Sequence, residues 1–321
     1  MKRFKQILYY ADASERSCSA LERAADLALR NRGRLTVVGV VELPPDLHLL
    51  APALPAAELW GMATQDLRER LELLVEPVRR KDLQVDIEVL IGTPFIEIIR
   101  YVLDHGHDLV MMNAEGGRGG LKGLLFGSTS LHLMRKCPCP VWVIKPGPHR
   151  RFERILAAVN PHPCDDDHPG VSHKIMQLAT SLARLEGSEL RVVHAWDHPG
   201  EGVLRVHGRL PAAEVDEIVR DTGATHESWL NGLLARHPLS DIRHTAHLRR
   251  GDPAEVIIEL AAARSIDLII MGTIGRTGIP GLFIGNTAET VLRQVDCSVL
   301  TVKPMGFETP VRLDQKTAGP S

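Results

Sequence analysis

One pattern of strands and helices is written twice along this chain, and the duplication restricts the fold more than any other feature. Ile155 to Asn160 (ILAAVN) matches Ile7 to Asp12 at an offset of 148 residues. Glu189 to Asp197 matches Arg34 to Glu42 at 155. Gly251-Asp252-Pro253, with Glu255-Val256-Ile257 behind it, matches Gly92-Thr93-Pro94 and its helix at 159, and Val299 to Pro304 matches Val141 to Pro146 at 158. Offsets that drift so little mark a tandem duplication rather than chance periodicity. A length of 321 residues suits two domains of roughly 150. The expected boundaries are 1–148 and 152–306, with 307–321 as a C-terminal tail. The linker, Gly147 to Phe152, is short, so the halves are expected to pack side by side.

Each copy alternates strand and helix. In the first, Lys5 to Asp12 (KQILYYAD) reads as a buried strand ending in a carboxylate, and Leu21, Ala24, Ala25, Ala28 and Leu29 form a helical stripe. Leu35 to Val41 is a strand, and a proline-rich apolar loop or lid runs from Leu43 to Ala57. A helix from about Ala56 to Arg80 follows, with Leu67, Leu71, Leu74 and Val78 on one face. Val85 to Leu90 is a strand, Phe95 to Leu103 a helix that turns Ile98, Ile99 and Val102 to the sheet, and Asp108 to Met112 a strand before a glycine-rich loop. Such alternation predicts a parallel sheet covered on both faces, with ligands beyond the strands' carboxyl ends where the strand order reverses.

The second copy carries the more informative loop. Asp267 to Met271 is a β-branched run that reads as a strand buried on both faces. It breaks into Gly272, Gly275, Gly278 and Gly281, then Gly285-Asn286-Thr287, before a helix and a closing strand, Ser298 to Lys303. Strand, glycine loop and helix start is the arrangement that binds phosphate: glycine admits close backbone approach, and free N–H groups point at the anion. No Gly-Lys-Ser/Thr follows, so this is not the common P-loop.

The spacing Gly272-x2-Gly275-x9-Gly285-Asn286-Thr287 resembles the nucleotide loop of the universal stress protein family. RKCPCPVWVIKP (Arg135 to Pro146), GTIGRTGIPGLFIGNTAE (Gly272 to Glu289) and TPVRLD (Thr309 to Asp314) extend the likeness to one group of its tandem members. The resemblance implies an α/β fold of two tandem flavodoxin-like (Rossmann-like) domains, each a five-stranded parallel sheet with helices on both faces. It also implies pairing of the two domains through their fifth strands, here Val141 to Lys145 and Val299 to Lys303; Thr309 to Leu313 could extend an edge. A homodimer stays open. For the second half it implies ATP, or another adenine nucleotide, with Mg²⁺ as an optional companion. The matching residues are Asn160, Ala195, Trp196, Met271, Gly272, Gly275, Gly285, Asn286 and Thr287.

Two departures weaken that site. Asn160 stands where the family usually has Asp, and Asn286 where it has Ser or Thr; an amide can still bond a ribose hydroxyl or donate to an oxyanion. The first half departs further. It keeps Asp12 and Gly127-Ser128-Thr129, but Asn113 replaces the first glycine, Gly116 to Gly127 is one residue longer, and Glu115 would repel phosphate.

Charge and cysteine usage exclude other classes. With 38 basic against 40 acidic residues, the basic excess of a nucleic-acid-binding domain is missing. No apolar run reaches the ~18 residues that would span a bilayer. Five cysteines without a CxxC pair, and no signal-peptide pattern, lead to the expectation of a reducing cytoplasm. Cys137-Pro-Cys139-Pro could be a redox or metal pair, yet Cys297 holds the same place ahead of the other fifth strand, which favours packing.

His162, Cys164, Asp166 and His168 lie within seven residues and could hold zinc or another divalent ion; a polar surface loop is the plainer reading. His244 and His247, three apart in a strand, face opposite sides and cannot chelate together. His105 and His107 flank a helix end and are expected to cap it or lie in solvent. No Gly-x-Ser-x-Gly elbow or paired carboxylate set is present, so an enzyme is not expected beyond a slow ATPase. Four readings therefore stay open: a cytoplasmic, nucleotide-dependent binding module in stress response, an interaction protein with empty loops, a slow ATPase, and a small-molecule or lipid carrier with Leu47 to Leu59 as its lid.

Overall fold

The computed structural model describes residues 4–12, 19–42, 56–80, 82–114, 126–145, 151–162, 170–198, 200–208, 210–273 and 284–313. The chain divides into two compact units, one holding Met1–Pro148 and Phe307–Ser321, the other His149–Gly306.

In the first unit the elements are β1 (Gln6–Tyr10), α1 (Ser19–Asn31), β2 (Arg34–Val41), α2 (Ala56–Val75), β3 (Gln84–Ile91), α3 (Pro94–His105), β4 (Leu109–Asn113), α4 (Ser128–Lys136) and β5 (Val141–Ile144). The strands are parallel in the order β3-β2-β1-β4-β5. In the second unit β6 (Arg154–Ala158), α5 (Val171–Glu186), β7 (Glu189–Trp196), α6 (Glu201–His207), α7 (Ala212–Ala235), β8 (His244–Arg250), α8 (Pro253–Ala263), β9 (Leu268–Gly272), α9 (Asn286–Gln294) and β10 (Ser298–Val302) repeat the scheme. Its strands are parallel in the order β8-β7-β6-β9-β10. This is the flavodoxin-like arrangement, and strand order reverses between β1 and β4, and between β6 and β9.

The central strands are apolar almost throughout because helices cover both faces: Leu35, Val37 and Val38 of β2 and Leu268, Ile269 and Ile270 of β9 have no exposed surface. The edge strands β3 and β8 are half-exposed or exposed and accordingly more polar. On α3, Ile98, Ile99 and Val102 are buried, each contributing roughly 1.5–3 kcal/mol. The duplication reaches into backbone detail. Gly92 and Gly251 hold φ of 138° and 139°, values that L side chains rarely adopt, before Pro94 and Pro253 open their helices. Asp252 caps α8 by accepting from the Ala254 and Glu255 amides.

Several expectations change. The helix expected to reach Arg80 ends at Val75 and becomes a 3₁₀ turn, Glu76–Val78, because Pro77 has no N–H to continue the ladder. Its buried face is Leu67, Leu71, Val75 and Val78, with Leu74 half-exposed. His107 is not in solvent: it is buried, with Nε2 3.2 Å from Thr36 Oγ1. His105 does meet a late helix carbonyl, that of Tyr101. Thr309 to Leu313 forms no strand; the segment belongs to the first unit, where Arg100 Nε donates to the Arg312 carbonyl at 3.3 Å.

Candidate functional site

In the second unit Ala158 pairs with Met271, so the ends of β6 and β9 lie side by side where the strand order reverses. Asn160 follows β6, is exposed, and is held by its backbone N–H donating to Ser172 Oγ at 3.1 Å. Ser172 belongs to the first turn of α5, as does Val171. A Cβ built on Gly272 would lie 2.8 Å from Val171 Cγ1. The close approach of α5 to β9 therefore favours glycine at the first position of the loop, with or without a ligand.

Thr273 comes next and is buried. Its N–H donates to the Val302 carbonyl at 3.3 Å, and its own carbonyl accepts the Gly285 N–H at 2.7 Å. The second bond holds together the points where the glycine loop leaves and returns, and the first ties the leaving point to β10. Gly285 then precedes α9 in an extended conformation, with no side-chain cap on the helix start among the described residues, and Glu289 N donates back to the Gly285 carbonyl. The amides of Asn286 and Thr287 thus open the helix at the loop's end. Gly275 lies outside the described residues. Beneath the clasp, Lys303 Nζ donates to Thr273 Oγ1 at 2.5 Å, and Lys174 Nζ to the Lys303 carbonyl at 3.3 Å.

Ala195 and Trp196 end β7, paired with Arg249 and Arg250. The Trp196 indole turns toward α7, where a Cβ on Gly223 would come within 2.9 Å of Cζ2, and it stacks with His226 at 5.7 Å. The Arg250 guanidinium lies 5.8 Å from the ring. His226 also meets Trp229 edge-on at 4.7 Å, and Trp229 lies 4.8 Å from His162. The fully buried His194 links this array to the strand: Nδ1 is 3.2 Å from the Val159 carbonyl and Nε2 2.8 Å from His226 Nδ1. A carbonyl only accepts, so the proton of that bond is on His194 Nδ1. Sequence reasoning missed His194, His226 and Trp229. The one signal was a histidine inside the otherwise apolar strand VVHAW.

His162 is thus in an aromatic setting, while Cys164, Asp166 and His168 lie outside the described residues. Among the described residues no group of three or more His, Cys, Asp or Glu could hold a metal. His173, near the same segment, instead meets His237, Nδ1 to Nε2 at 3.1 Å, and lies 3.4 Å from an Arg236 guanidinium nitrogen. Burial, helped by His173, lowers the His237 pKa to about 4.

The first unit holds different groups at the equivalent places. Asn113 ends β4 and its Nδ2 donates to the Tyr9 hydroxyl at 3.2 Å. Ala114 stands where the second unit has Thr273, and its N–H donates to the Ile144 carbonyl at 2.8 Å. Lys145, buried like Lys303, lies over the Phe126 ring at 4.9 Å. Glu115 and Gly116 lie outside the described residues. Cys137 and Cys139 are free thiols with Sγ atoms 3.5 Å apart, and the hydrogen bond to Cys137, followed by burial, pushes the Cys139 thiol up. No described helix is long and apolar enough to cross a membrane.

Comparison with known proteins agrees with this architecture. Universal stress protein E of Escherichia coli K12 is 29% identical over 323 residues, covering 98% of this chain and 99% of that one. A crystal structure of a protein of unknown function from Pseudomonas aeruginosa PAO1 superposes with a TM-score of 0.68 at 21% identity, covering 94% of each chain. A universal stress protein from Archaeoglobus fulgidus gives 0.58 at 19% identity, covering 92% of this chain and 97% of that one. The profile of the universal stress protein family matches residues 3–145 and again 152–303. With both halves matched, the chain belongs to the universal stress protein family as a tandem member.

Proposed function

We propose that the second unit binds ATP or a related adenine nucleotide, and that the protein serves a cytoplasmic stress response as a nucleotide-dependent binding module. The observation that carries this reading is the loop clasp. Gly285 N–H on the Thr273 carbonyl brings the loop back beside β9 and delivers it to the start of α9. An anion there would meet backbone N–H groups and the positive end of the helix. The phosphates would lie along Gly272, Gly275, Gly285, Asn286 and Thr287, the ribose by Asn160 and Met271, and the base by Ala195 and Trp196. Because Val171 already accounts for Gly272, Gly275 and Gly285 are the glycines that a bound phosphate would explain.

The test is calorimetry of the purified protein with ATP, with and without Mg²⁺, beside mass spectrometry of any ligand it retains. One adenine nucleotide per chain is the expected result. A second reading, an interaction protein whose loops stay empty, is favoured by Asn160, which supplies no charge where the family usually has a carboxylate. Failure to bind adenine nucleotide under either condition would select it.

A further inference from the structure

We propose that copies of this chain associate edge to edge, β3 of one copy pairing with β8 of another, with opposite charges on the two strands selecting that contact. Both strands end their sheets: among the described residues β3 pairs only with β2, and β8 only with β7. An edge strand presents a row of backbone N–H and C=O groups that another strand can satisfy. Such pairing needs no nucleotide.

The duplication gives the two edges matching registers and opposite charge. Gly92 and Gly251 follow the strands with the same backbone conformation, φ of 138° and 139°. Counted back from them, Glu88 stands where β8 has His247, Asp86 where it has Thr245, and Leu90 where it has Arg249. Strand alternation turns Asp86 and Glu88 to one face of β3, and His247 and Arg249 to the matching face of β8. The surroundings report each sign. Tyr101, on α3, has its pKa pushed up to about 12 by burial and then by Glu88, Asp86 and Asp104. His247 has its pKa lowered by burial and then by Arg191, Arg249 and Arg264, with Glu189 opposing. Asp86 and Arg249 are exposed, while Arg250, on the other face of β8, already meets Glu201 and Asp197.

Charge decides among the possible pairings. β3 against β3 would set carboxylates opposite carboxylates, and β8 against β8 would bring basic residues together; like charges across a strand pair are destabilising. Antiparallel pairing of β3 with β8 about an axis normal to the sheet keeps matching faces together. Asp86 and Glu88 then share a face with Arg249, and opposite-charge pairs favour the mixed contact. Backbone bonds supply further attraction, as in strand addition. Exposed ion pairs are individually weak and screened by salt, so the association should be reversible and salt-sensitive. Two different edges meet, so the contact runs head to tail, and the remaining β8 and β3 of a pair can take further copies.

Sedimentation velocity of the full chain over a range of concentrations, at low and high salt, measures this, with thermal denaturation of each variant. Wild type at low salt should form species larger than one chain as concentration rises, and high salt should weaken the association on the order of tenfold. Asp86→Lys with Glu88→Lys turns β3 basic, and Thr245→Glu with Arg249→Glu turns β8 acidic. Each double variant alone should lose association on the order of tenfold, because its two edges then carry like charge. Mixing the two variants should restore it, since the basic edges of one meet the acidic edges of the other. Hydrogen exchange of wild type needs no variant to fold: β3 and β8 amides should gain protection together as concentration rises. Wild type that stays a single chain at every concentration overturns the proposal. Association that salt does not weaken, or that protects other strands and not β3 and β8, overturns it too, as does a mixture of folded variants that stays unassociated.

Discussion

The two units place a buried lysine at the end of the fifth strand and then use it differently. In the second, Lys303 bonds Thr273 at the mouth of the glycine loop; in the first, Lys145 sits on Phe126 beside an alanine. The fourth strands end differently as well. Gly272 is kept clear of Val171, whereas Asn113 fills the corresponding position and bonds Tyr9. A duplicated fold can thus keep its backbone while its two copies place different groups at the loop ends, because the requirement for glycine and hydroxyl groups there is separable from the requirement for apolar strands beneath them.

The sharpest way to break this comparison is at the loops themselves. Gly275→Val should abolish ATP binding by calorimetry, and Gly116→Val in the first unit should leave it intact, with both variants keeping the wild-type melting transition. The opposite pattern would move the site to the first unit.

Acid should affect both units alike. His107 and His237, one in each unit, have pKa values lowered from about 6.5 to about 4, chiefly by burial. Folded, they stay neutral while the unfolded chain takes up protons, so stability present above pH 6.5 should fall as pH drops toward 4 and then level off. The ceiling is roughly 3 kcal/mol for each histidine. Urea unfolding at pH 7, 5.5 and 4.5 measures it. His237→Gln should flatten the slope of the second unit alone; an unchanged slope would show that this residue titrates normally.

Gly272→Ala tests the packing difference. Its Cβ would press on Val171, and overpacking of this kind costs about 1–3 kcal/mol, which a shifted melting temperature would reveal. Asn113→Ala, which removes one bond to a tyrosine hydroxyl, should cost about 1 kcal/mol. Equal shifts would contradict the idea that the two strand ends carry different constraints.

Much of the fold was legible because it is set locally. The repeat offsets, the apolar runs of β1, β4, β6 and β9, and the Gly-Asp-Pro and Gly-Thr-Pro helix starts each depend on a few adjacent residues and a short-range backbone preference. Pro77 could have been read the same way, since a missing N–H ends a helix wherever it falls. The glycine spacing likewise identified the loop.

What the tertiary structure alone decided are contacts between residues far apart in the chain. Lys303 meets Thr273 across 30 residues, His194 meets His226 across 32, and His107 meets Thr36 across 71. Nothing in the spacing of LTVKP separates a solvated lysine from a buried one, because burial depends on which helices cover the strand end. The reason for Gly272 was hidden for the same cause. Sequence offered phosphate approach as its explanation, and only the position of Val171, brought in by a different helix, supplied a steric one. Local chemistry determined where the strands, helices and loops would be; the packing of helix against strand determined what their polar residues touch.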